Sequence, residues 1–135
     1  MGPESALLAA TALHLGFQAV VTVVVYPALA DLPADRWSAG HDAHSRRVVA
    51  VVGPVYLAVA AASLWALVAL PLKIPLLLAV LGSGLAELAT AFVAAPVHGR
   101  LGREGRTPRL VGRLLGADRV RLFGAALAAG AAVLV

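Results

Sequence analysis

One carboxylate, Glu87, sits near the middle of Ile74 to His98, a run of about 22 apolar or small residues, which is membrane-spanning length. A charge at that depth costs at least ~2.5 kcal/mol, so it marks a position where function, or a partner, must account for it. One imidazole, His14, lies inside an earlier apolar run. Thr11, His14, Gln18 and Thr22 recur at spacings of 3, 4 and 4 and share one face of a helix. Ser83, Glu87 and Thr90 form a second stripe that His98 continues, and Tyr56 and Ser63 form a third. At ~1.5 Å per residue, His14 lies roughly 18 Å from Tyr26, and Glu87 roughly 16 Å from His98. Both then fall at one depth, where an imidazole and a carboxyl can share a proton. This points to an acid–base pair, His14 with Glu87, and to Tyr56 as a third catalytic candidate. Gln18, Thr90, Ser63 and Thr11 become candidate ligand contacts. The competing reading is that these groups are interhelical glue that fixes packing register.

A second group is His41, His44 and His98. His41 and His44 are three residues apart, and all three belong near one membrane face. Three imidazoles suit Zn, Cu or Fe, whereas loop histidines beside arginine are otherwise simply solvated. Any cofactor expected here is therefore a metal at these histidines, or none. A haem held by two buried histidines is not supported, because His14 alone lies deep in a span. The chain has no cysteine, which excludes thiolate sites and disulfides. It contains no G-x-S-x-G, phosphate-binding glycine loop or H-E-x-x-H.

The elements that must position these residues follow from composition. Apolar residues make up 61% of the 135 and charged residues 13%, more apolar surface than a soluble core of this size needs. The expectation is an all-α integral membrane four-helix bundle, a single domain with spans at about 6–29, 48–70, 74–98 and 118–135. The first run exceeds a signal-peptide core and lacks a positive start, so it reads as a retained helix. Tyr26-Pro27 and Pro96 mark span ends, and Gly53-Pro54 predicts a kink in the second span. Asp31 to Arg47 and Gly99 to Ala117 read as polar loops. Thr107-Pro108 is an N-cap followed by proline at the first helical position, opening a short interfacial helix before the last span. Asp118 reads as the cap of that span. Gly124 with Ala128 would let helices approach closely.

Arginines gather in the two long loops. The positive-inside rule places those loops in the cytoplasm and both termini outside. Anionic lipid headgroups are the expected partners of the loops; nucleic acid is not, since stacking aromatics are absent.

The first span ends in Val-Val-Tyr-Pro-Ala-Leu. Ala95-Pro96-Val97-His98 ends the third, and Asp118-Arg119-Val120-Arg121 opens the fourth. In these motifs and in the order of its spans the chain resembles the small four-helix membrane proteins grouped with anthrone oxygenases. The resemblance implies oxygenation or binding of an aromatic, lipophilic molecule without a recognised cofactor. Two other classes compete with an oxidoreductase of this kind. One is a non-enzymatic membrane subunit or assembly factor. The other is a proton-coupled transporter or channel, which with four spans requires a homo-oligomer.

Overall fold

The computed structural model describes residues 1–135, all in helices and short connections. Four rods run up and down: α1, Pro3–Ala30; α2, Ala34–Ala69, opening with a 3₁₀ turn; α3, Ile74–Glu104; and α4, Pro108–Ala132. Connections this short make consecutive helices antiparallel neighbours. Each rod packs on its chain neighbours and α4 closes back on α1, so α1 and α3 stand at opposite corners.

Local chemistry explains the ends. The Gly2 N–H donates to the Ser5 hydroxyl, which donates back to the Gly2 carbonyl, at the start of α1, with Pro3 at the first position. The Thr107 hydroxyl accepts from the Leu110 amide at 3.3 Å with Pro108 behind it, the expected cap. Gly105, at φ 78°, stops α3 in the left-handed region that glycine enters at little cost.

Several boundaries differ from the sequence reading. Tyr26-Pro27 and Pro96 do not end their helices. A π turn precedes each proline, Val21–Val25 before Pro27 and Thr90–Ala94 before Pro96. Proline has no N–H and its ring collides with the carbonyl of an ordinary α turn. The wider π turn absorbs both faults, and the helices continue to Ala30 and Glu104. The stretch read as a polar loop before Val48 is helical from Trp37, so His41 and His44 ride on α2 rather than on a loop. Nor is there a separate interfacial helix: α4 runs unbroken through Gly116. Asp118 is no cap, because its carboxylate is buried and bonded from within the bundle.

α3 and α4 pack backbone to backbone. A Cβ on Gly82 would stand 2.6 Å from the Gly124 carbonyl oxygen, and a Cβ on Gly124 equally close to that of Gly82. Buried Ala79, Ala86, Ala125 and Ala128 continue this small-residue seam, as Gly124 with Ala128 led us to expect. The outer faces are the opposite: Leu57, Val68, Leu81, Phe92 and Phe123 are each more than 60% exposed. α1, α2 and α3 are long and apolar enough to cross a membrane. α4 is not among them; Arg109, Arg113, Asp118, Arg119 and Arg121 crowd its first half.

Candidate functional site

The deep pair does not form. His14 is fully buried, but neither of its ring nitrogens has a hydrogen-bond partner, and neither does Glu87 Oε1. Equal depth fixed their height and not their bearing. α1 and α3 occupy opposite corners, and His14 instead meets Tyr56 edge to face, with ring centroids 5.0 Å apart. The Tyr56 hydroxyl bonds Thr90 Oγ1 at 2.7 Å, and Thr90 returns to its own helix at the Ala86 carbonyl. Thr11 donates to the Leu7 and Leu8 carbonyls and faces no other helix chemically. Ser63 and Ser83 are buried without partners.

Nearer the arginine-rich end the groups do converge. Gln18 Nε2 donates to Asp118 Oδ1 at 2.7 Å, and Arg121 Nη2 donates to the same oxygen at 3.0 Å. Arg121 Nη2 also reaches the Tyr26 hydroxyl at 3.1 Å, with its guanidinium 5.6 Å from the Tyr26 ring centre. The Tyr26 hydroxyl lies 3.4 Å from His98 Nε2, and His98 Nδ1 lies 3.2 Å from His41 Nε2. Trp37 stacks on His41 at 5.3 Å, and Arg106 covers Trp37 at 5.6 Å. Arg106 also donates to the Ala30 and Leu32 carbonyls, closing this end over the first connection.

The three histidines lie together, His41 stacked on His98 and His44 tilted against it, and not as a ligand set. His98 lies 5.4 Å from His41 and 5.6 Å from His44, centre to centre, and no three His, Asp or Glu side chains converge on a metal position. Two of the nitrogens needed for a metal face each other instead. As placed, His41, His44 and His98 do not form the three-ligand group expected of them.

Between α1, α2 and α3, at the level of both π turns, lies a cavity of about 180 Å³. Phe17, Val21, Val48, Val49, Val52 and Ala94 give it apolar walls. Tyr26, His44, Thr90, His98 and Arg121 bring polar groups to it. Thr90 is the one candidate ligand contact from the sequence that lines it. Val21 and Thr90 open the two π turns, so the prolines that demand those turns also shape the cavity. Sequence reasoning missed Asp118 and Arg121 as site residues. The signal was present: two opposite charges three residues apart inside the last predicted span, the spacing of a helical ion pair.

Compared with known proteins, the chain matches no family model, no curated protein and no solved structure.

Proposed function

We propose that this chain is an integral membrane protein that binds a small lipophilic molecule, one or two rings carrying an ionisable hydroxyl, and takes up its proton. The cavity carries this reading. An apolar cavity of ~150 Å³ holds a benzene ring, so about 180 Å³ suits a ligand of that class. Its polar side presents what an incipient phenolate or enolate requires. Arg121 and Tyr26 are donors for the oxyanion, and the His98 and His44 imidazoles are bases. The cavity lies between α1, α2 and α3, whose outer faces are apolar, so the ligand enters from the membrane. The anthrone oxygenase resemblance adds a reaction: oxygen attack on an electron-rich ring begins with just such a deprotonation.

The exposed leucines of α1 to α3, with Phe92, support the membrane setting. The exposed Arg46, Arg47, Arg103, Arg109 and Arg113 support a cytoplasmic basic end, with anionic headgroups around it and both termini outside. A second reading, a packing device without chemistry, is favoured by one observation. The knot of Gln18, Asp118, Arg121 and Tyr26 is hydrogen-bonded within itself and ties α1 to α4.

Native mass spectrometry of the detergent-purified protein with added 4-nitrophenol separates the two. A one-to-one adduct that disappears in Val52→Trp, which fills the cavity, supports binding. No adduct, or one that Val52→Trp retains, leaves the packing device.

A further inference from the structure

The cavity is not closed at its polar side. A line of polar groups leads from it to the arginine-rich surface; its first three links are within hydrogen-bond distance and each joins two different helices. Arg121 Nη2, on α4, donates to the Tyr26 hydroxyl, on α1. The Tyr26 hydroxyl lies 3.4 Å from His98 Nε2, on α3, and can donate to it. With its proton on Nδ1, His98 then donates to His41 Nε2, on α2, at 3.2 Å. His41 Nδ1 has no hydrogen-bond partner; the nearest acceptor, Asp42 Oδ1, stands 3.7 Å away, and the exposed Asp42 side chain must rotate toward the ring to take its proton. Asp42 is more than half exposed, whereas the His41 side chain beside it is 3% exposed.

A guanidinium only donates, so the tyrosine oxygen accepts from it and its own O–H is free to donate onward, the direction an outward relay uses. Each imidazole has one donor and one acceptor nitrogen, so both rings can pass the same direction along. Trp37 stacked on His41, with Arg106 over Trp37, keeps the outer ring from turning. An isolated structural histidine needs one partner; two imidazoles joined nitrogen to nitrogen, with a phenol inside and a carboxylate outside, have the connectivity of a proton conductor.

We propose that Tyr26, His98, His41 and Asp42 form a relay that carries the proton of the bound ligand from the cavity to the cytoplasmic surface. This rests on the reading that the cavity binds an ionisable hydroxyl compound. The ligand O–H gives its proton to the Tyr26 oxygen as the Tyr26 proton moves to His98 Nε2. The His98 Nδ1 proton moves to His41 Nε2, and the His41 Nδ1 proton moves to Asp42. The ligand is left as an anion beside Arg121. Asp42 is left as a neutral acid that gives its proton to water. No electron moves, and one proton leaves for each ligand ionised. The rings end with their protons on Nε2, and the line resets when a proton returns along it to the anion.

Tyr26, His98 and His41 act here as proton carriers and Asp42 as the outlet. The test is stopped-flow mixing of 4-nitrophenol with purified protein in detergent, following the probe anion by its visible absorbance and the released proton by a pH-indicator dye. In the wild type both signals rise together. In Asp42→Asn and in His41→Phe the probe still binds, but ionisation and proton release slow by about a hundredfold. Asp42→Asn changes an exposed side chain and keeps the fold testable should His41→Phe destabilise the mouth. Wild-type rates in both variants overturn the relay and leave the binding reading standing. Absence of saturable probe ionisation in the wild type overturns the binding reading, and the relay with it.

Discussion

Asp118 and Arg121 are the residues on which the interior balances. Each is less than a tenth exposed, and they share one carboxylate oxygen with Gln18. Breaking a buried pair on one side costs about 3–5 kcal/mol, because the survivor keeps its charge without a partner. Asp118→Ala should therefore lower unfolding stability by that order in a denaturant titration in detergent. The joint replacement Asp118→Leu with Arg121→Met should recover most of the loss. Tyr56 and Thr90 make a neutral bond, so Tyr56→Phe should cost only about 0.6–1.7 kcal/mol. His14 has an edge-on tyrosine and no hydrogen bond, so His14→Phe should cost less than Asp118→Ala in the same titration.

Two devices govern the elements. The first is the π turn before each proline. Pro96→Ala removes both the missing donor and the ring clash, so the third helix can relax to an ordinary α turn. Everything beyond Ala94 would rotate, carrying His98 away from Tyr26 and His41. The expected outcome is unchanged helical circular dichroism with loss of 4-nitrophenol binding. The second is the glycine contact between α3 and α4. A side chain at Gly124 would meet the Gly82 carbonyl at 2.6 Å, and the atom it meets is backbone, which cannot step aside. Gly124→Val should cost about 1–3 kcal/mol or more by overpacking, read as a drop in melting temperature. The Gly124 seam was legible in the sequence because small residues repeat there. The π turns were not, since a proline in an apolar run reads equally as an end, a kink or a bulge.

For the molecule as a whole, the four helices, the basic end and a central polar interior could be read from hydropathy, arginine placement and stripe spacing. The partners within that interior could not. Spacing along a helix gives height and one face, but which faces meet depends on the order of helices around the bundle. That order set His14 against Tyr56 with Glu87 left partly exposed, and brought Tyr26, His98 and His41 together. Asp118 likewise reads as a cap in the sequence, whereas the helix order folds it inward to pair with Arg121 and Gln18. The arrangement proposed in the membrane has its own check. Cysteines placed singly at Ser5 and Ser38, both exposed, should react with an impermeant reagent from opposite sides. Reaction of both from outside would remove the cytoplasmic assignment of the basic end.

The central claim, that the cavity binds a hydroxylated ring and ionises it, meets its most direct test in an absorbance titration. Wild-type protein and Val52→Trp would be titrated with 4-nitrophenol at a pH where the free probe is mostly protonated. The account predicts a saturable rise of the anion band, one probe per chain, in the wild type and none in Val52→Trp. A rise that never saturates and is equal in both proteins would mean that the probe merely dissolves in the detergent, and would contradict it.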